Sequence, residues 1–154
     1  MSRESVKIGV RAARADDAAA LALLSGQLGY PVGGVEMADR LARVRAQRVG
    51  EVFVASAGET DAADAEVLGW THVVPRLQLE EAPFAELAGL IVAESARGLG
   101  VGAALLAAAE QWARDAGFAL MRVRSNVVRE RAHRFYEREG YRRVKVQGVF
   151  HKSI

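Results

Sequence analysis

Glu86-Leu87-Ala88-Gly89-Leu90-Ile91-Val92, followed at Arg97 by Arg-Gly-Leu-Gly-Val-Gly-Ala-Ala-Leu-Leu through Leu106, is the stretch on which the fold turns. The first run is apolar and suits a buried strand, and the second opens a helix from about Val101 to Ala116 with Leu105, Ala109 and Trp112 on one stripe. Between them lies a glycine-rich turn. A strand that feeds such a turn into a helix leaves backbone N–H groups unpaired at the positive end of the helix dipole, and glycine lets an anion approach that backbone closely. Three glycines in alternation behind an arginine exceed what a tight turn alone requires, so the turn reads as a phosphate seat.

Working outward, Phe118 to Ser125 reads as the strand after the helix-stopping Gly117, which completes a β-α-β unit. Upstream, Lys7 to Ala12 reads as a strand leading into a helix started by Arg14 to Asp17 and carrying Leu21, Leu24 and Leu28. A second helix runs from about Val35 to Gln47, with Met37, Leu41 and Val44 on one face. Glu51 to Ser56 and Glu66 to Val74 read as an antiparallel hairpin turning through Gly58 to Asp64. Downstream, Arg129 to Glu139 reads as a helix stopped by Gly140, and Tyr141 to Val146 and Val149 to Lys152 read as two last strands. The expected fold is α/β in the α+β sense: a mixed, mostly antiparallel central sheet of six to seven strands flanked by about four helices.

The 154 residues suit a single domain, and 51% hydrophobic against 26% charged residues is enough apolar surface to drive folding. The absence of cysteine excludes disulfides, thiolate metal sites and a cysteine nucleophile, and His72, His133 and His151 have no metal-ligand spacing, so no metal is expected. No apolar run reaches the roughly 18 residues of a membrane span and MSRESVKIGV does not resemble a signal peptide, so no membrane association and a cytoplasmic location are expected. A net charge of +2 does not imply nucleic-acid binding. The arginine cluster from Arg122 to Arg143 instead offers either a solvated helix face or a local positive field for a phosphorylated ligand.

Two nucleotide-binding folds compete for the glycine turn. Gly98-x-Gly100-x-x-Ala103 satisfies the dinucleotide fingerprint, but the next strand ends at Arg124-Ser125-Asn126 without a carboxylate for a ribose, and too little chain follows to complete a doubly wound domain. No Gly-Lys-Ser or Gly-Lys-Thr follows, so the turn is no Walker A loop.

Arg97-x-x-Gly100-x-Gly102 after the strand Glu86 to Val92, with Asn126 and then Ala132-His133-Arg134-Phe135-Tyr136-Glu137-Arg138-Glu139-Gly140-Tyr141 further on, resembles the acetyl-coenzyme A signature of the GNAT N-acetyltransferase superfamily. The resemblance spans nearly the whole chain and implies a single GNAT-like domain whose sheet splays open beside the strand before the glycine turn. It also implies acetyl-coenzyme A as cosubstrate and an amine acceptor, a small molecule or a peptide, that attacks the thioester directly. No covalent acyl-enzyme is expected, and a homodimer is an expectation the family allows.

Carried over residue by residue, the resemblance implies that Arg97, Gly98, Leu99, Gly100, Val101, Gly102 and Ala103 hold the pyrophosphate. Leu90, Ile91 and Val92 would pair with the pantetheine, with one of their N–H groups polarising the thioester carbonyl. Asn126 would contact the pantetheine arm, its alternative being a cap of the following helix, and Arg129 and Phe135 join the expected coenzyme contacts. Tyr136 resembles the general acid for the leaving thiolate, with Phe135 expected to be buried and Tyr136 to face a cleft. Glu86 resembles the strand glutamate that serves as base, its alternative being an ion pair with an arginine; Glu94 and Glu51 are weaker candidates, and His133 is expected to be structural. The helices around Gly29-Tyr30-Pro31 resemble the family's acceptor side, which places Tyr30 as a substrate contact. A non-catalytic acyl-coenzyme A module would keep the glycine turn without needing Tyr136 or Glu86.

Overall fold

The computed structural model describes residues 6–58 and 65–154, so the hairpin turn read at Gly58 to Asp64 lies, beyond Gly58, outside the described residues. The backbone groups into two compact units, one ending at Val123 and one from Arg124 to Ile154.

The first unit holds β1 (Ile8–Ala12), α1 (Ala18–Gln27), α2 (Gly34–Ala46), β2 (Glu51–Ala57), β3 (Val67–Arg76), β4 (Phe84–Val92), α3 (Val101–Asp115) and β5 (Met121–Val123). The five strands lie in sequence order in one sheet, antiparallel throughout except for the parallel β4–β5 pair. The two faces are covered by different helices. On one, Val52, Val54 and Trp70 pack with Leu21 of α1 and with Met37 and Leu41 of α2. On the other, α3 presses Val101 and Leu105 onto the sheet at Gly69, where a Cβ would stand 2.9 and 3.1 Å from those side chains and 2.8 Å from the Ile91 carbonyl oxygen. Only glycine lets α3 come that near.

The acids read as a helix start do more than cap. Asp17 accepts the Arg14 N–H at 2.6 Å and a two-point contact from Arg11 of β1 at 2.7 and 2.9 Å, tying the strand to the helix entry. Burial alone would raise the Asp17 pKa, but those hydrogen bonds and the charges of Arg11 and Arg14 outweigh it and lower it.

The second unit contains one helix, α4 (Glu130–Arg138), and no strand. The expected strands Tyr141 to Val146 and Val149 to Lys152 are therefore a correction, and among the described residues the sheet has five strands rather than six or seven. Their alternation of valine with basic residues was the signal, but a strand exists only by pairing, and this segment finds no ladder. Val144, Val146 and Val149 remain exposed. The strand expected from Phe118 to Ser125 shrinks to Met121–Val123 for a related reason. It pairs with β4 only from Ala85 to Leu87, and there β4 inserts one extra residue, Ala88, against β3. Such a bulge bends the strand and ends the ladder beside it.

Candidate active site

The bulge creates the first element of the site. Beyond Leu87, β4 continues to Val92 with β3 on one side and, among the described residues, no strand on the other. The direction of its peptides follows from two contacts. Ala93 donates its N–H to the Leu68 carbonyl at 2.8 Å, and the Gly89 carbonyl accepts the Thr71 hydroxyl at 2.6 Å, so peptide groups at the odd positions turn toward β3. Alternation then turns the N–H and C=O groups of Leu90 and Val92 to the open side. Ile91, expected to pair there too, bonds toward β3 and contributes a buried side chain to the core instead.

The second element follows within the same unit. A short 3-10 turn (Glu94–Ala96) leads to Gly98 and Gly100 at φ +82° and +84°, the left-handed region that glycine occupies without penalty. Gly100 is the N-cap of α3 and supplies no side-chain cap, so the N–H groups of Val101, Gly102 and Ala103 begin a fifteen-residue helix without intrahelical acceptors. Nothing in the protein lies within 4 Å of where a Cβ on Gly98 or Gly100 would project. The turn is open, exposed, flanked by the exposed Arg97 and Leu99, and positive from its helix dipole; it can receive an anion.

Glu86 occupies a third position, on the face of the sheet covered by α1 and α2, because it pairs with Val74, four residues along β3 from Trp70. It is buried at 8% exposure, with Arg76 of β3 3.3 Å from its Oε2. Arg122, opposite it on β5, lies over the Phe84 ring at 4.0 Å from the centroid and gives both ends of its guanidinium to Glu81. The carboxylate's expected ion pair with an arginine is thus present, alongside its placement beside the open strand. Glu51 receives its own strand's Val52 N–H at 3.0 Å, and Glu94 is exposed in the 3-10 turn. Tyr30 is 55% exposed between α1 and α2.

The second unit carries the remaining expected residues. Asn126 accepts the Val128 N–H on its side-chain oxygen at 3.1 Å, a local turn that leads into α4 without capping it. Arg129 is the N-cap residue of α4. Phe135 is half-buried rather than buried, a correction: α4 buries no residue fully, and Phe135 meets Tyr136 edge-on at 5.2 Å while Tyr136 meets Tyr141 at 5.9 Å. The Tyr136 phenol is pushed up to about 12 by burial, with the Arg129 charge acting in the opposite sense. His133 accepts a hydrogen bond from the Arg143 guanidinium on Nδ1 at 2.8 Å. What sequence reasoning missed was Arg76 and the Glu81–Arg122 pair, whose partners become visible only once strand register is known.

The model of the acetyltransferase (GNAT) family matches residues 18–141. An aminoglycoside N(6')-acetyltransferase type 1 of Stenotrophomonas maltophilia is 35% identical over 136 residues, which cover 86% of this chain and 84% of that protein. An aminoalkylphosphonate N-acetyltransferase of Salmonella typhimurium is 41% identical over 78 residues, half of this chain and 51% of the length of that relative. Among solved structures, an aminoglycoside N-acetyltransferase in complex with coenzyme A superposes with a TM-score of 0.83 over 100% of both chains at 16% identity, a likeness of fold. The chain belongs to the acetyltransferase (GNAT) family.

Proposed function

We propose that this chain moves an acetyl group from acetyl-coenzyme A to a primary amine by direct attack in a ternary complex. The observation that supports it most is the succession, within one unit, of an unpaired stretch of β4 and the uncapped amino terminus of α3. An extended pantetheine adds to Leu90 and Val92 as a further strand would, and the pyrophosphate sits on the N–H groups from Val101 to Ala103 with Arg97 beside it.

Each step has a group suited to it. Glu86 takes the proton of the incoming ammonium, directly or through water, which frees the lone pair for attack. The thioester carbonyl becomes an oxyanion and is met by an N–H of the open strand, at Leu90 or Val92. The carbon–sulfur bond breaks and negative charge moves to sulfur. Tyr136, with a pKa of about 12 against about 8.5 for a thiol, is fully protonated at neutral pH but is the weaker acid by roughly 3 units. On the family resemblance Tyr136 is assigned hydrogen-bond donation to the sulfur as charge develops. Asn126, Arg129 and Phe135 are assigned to the coenzyme and Tyr30 to the acceptor on the family resemblance.

The relatives act on an aminoalkylphosphonate and an aminoglycoside, which share an amino group, so the acceptor class is a small-molecule amine. The test is release of free thiol from acetyl-coenzyme A with an aminoalkylphosphonate, an aminoglycoside and a peptide amine supplied in turn. Acetyl transfer to one of them, slowed about 10²- to 10³-fold by Tyr136→Phe, is expected. Coenzyme binding without amine-dependent thiol release would instead identify a non-catalytic acyl-coenzyme A module.

A further inference from the structure

We propose that Thr71 is a positioning residue for acyl transfer: its hydroxyl fixes the peptide group whose N–H, at Leu90, meets the thioester carbonyl. This rests on the reading of the open strand as the seat of the pantetheine. The path of the coenzyme selects Leu90 over Val92. With the pyrophosphate on the turn that follows Val92, a pantetheine running back along β4 passes Val92 first. Its thioester end then reaches Leu90, the outward N–H nearer to Glu86 along the strand.

Leu90 lies just past the bulge, where the extra Ala88 interrupts the β3–β4 ladder, and Thr71 stands opposite it on β3. Thr71 is two residues along from Gly69, hence on the face that α3 covers, and it is fully buried, so water does not compete for its hydroxyl. That hydroxyl donates to the Gly89 carbonyl at 2.6 Å. The Gly89 carbonyl and the Leu90 N–H belong to one peptide group, which is planar and trans, so their bond directions are opposed. Held toward β3 at its oxygen, the peptide aims its N–H at the open side. A hydrogen bond accepted at the oxygen also polarises the group, which makes the N–H a stronger donor to a developing oxyanion. The β-branch of threonine restricts its side-chain rotation and keeps the hydroxyl on that carbonyl.

The experiment is isotope-edited infrared spectroscopy of acetyl-coenzyme A labelled at the thioester carbonyl, bound to the parent and to Thr71→Val, Thr71→Ala and Thr71→Ser. Each protein is also titrated calorimetrically with acetyl-coenzyme A and with coenzyme A. The parent should move the carbonyl stretch to lower frequency, Thr71→Val should lose most of that shift, and Thr71→Ser, which keeps the hydroxyl, should retain it. Thr71→Val should bind acetyl-coenzyme A about 2- to 10-fold more weakly, and coenzyme A, which has no thioester carbonyl, as tightly as the parent. Thr71→Ala, with no methyl to press on the Gly89 carbonyl, carries the same expectations should the valine variant not fold. A full carbonyl shift without the hydroxyl, a shift lost equally in Thr71→Ser, or equal weakening of both ligands would overturn the role of Thr71 while leaving the coenzyme on the open strand. Acetyl-coenzyme A bound by the parent with no carbonyl shift would overturn Leu90 as the oxyanion donor, and Thr71 with it. No binding of acetyl-coenzyme A by the parent would overturn the functional reading itself.

Discussion

Gly100→Ala separates the two things the turn does. Gly100 sits at φ +84° and ψ 12°, and a Cβ there would meet no protein atom within 4 Å, so the substitution costs conformational energy and no packing. A non-glycine residue held in the left-handed region costs about 1–2 kcal/mol, which for a chain of this length lowers Tm by roughly 2–8 °C. The larger effect is expected on ligand. If the turn relaxes toward ordinary φ, the N–H groups of Val101 to Ala103 rotate off the phosphate, and loss of one charge-assisted hydrogen bond of about 1.5–3 kcal/mol weakens coenzyme binding roughly 10- to 100-fold. The assay is calorimetric titration with acetyl-coenzyme A beside a thermal melt. Gly26→Ala is the control, because Gly26 lies inside α1 with open space around its Cβ position and no positive φ; it should raise stability by up to about 1 kcal/mol and leave the coenzyme Kd unchanged. A Gly100→Ala protein that melts lower but binds coenzyme as tightly as the parent would refute the phosphate-seat reading.

Gly69→Ala should cost about 1–3 kcal/mol, seen as a lower denaturation midpoint, because its Cβ would be driven to 2.8 Å from a backbone carbonyl and 2.9 Å from Val101; an unchanged midpoint would mean that α3 can retreat. Asp17→Asn should lower stability at neutral pH by roughly 3 kcal/mol. Because the folded pKa of Asp17 is lowered from 3.8, its contribution is present above that value and is lost as pH falls through the folded value, so the difference between variant and parent should shrink in acid. Tyr136 has the opposite sign. Its folded pKa of about 12 exceeds the unfolded value of 10.0, so its contribution is complete below pH 10 and disappears as pH rises through 12. Tyr136 should therefore cause no decline of kcat near pH 9, and a decline there that disappears in Tyr136→Phe would contradict the raised value.

The glycine turn, the strand before it and the helix after it were legible because each carries a local signal: apolar run, alternating glycines, helical stripe. The four helices appeared within a few residues of their expected bounds for the same reason. What was not legible depended on pairing. Ala88 gives no sign of being the bulge that ends β5 and opens β4, and Ile91 looks identical to Leu90 until the Ala93–Leu68 bond fixes which peptides face outward. Arg76 was one of many arginines until the Val74–Glu86 register placed it at the carboxylate. The valines of the last segment erred in the other direction, since their alternation has the period of a strand without a partner strand to satisfy it.

The central claim, that the open strand and the glycine turn seat acetyl-coenzyme A rather than a dinucleotide, is tested most directly by calorimetric titration of the protein, freed of carried-over ligand, with acetyl-coenzyme A and with NAD. The account predicts saturable micromolar binding of acetyl-coenzyme A and none of NAD. Binding of NAD alone would contradict it and return the glycine turn to the dinucleotide reading.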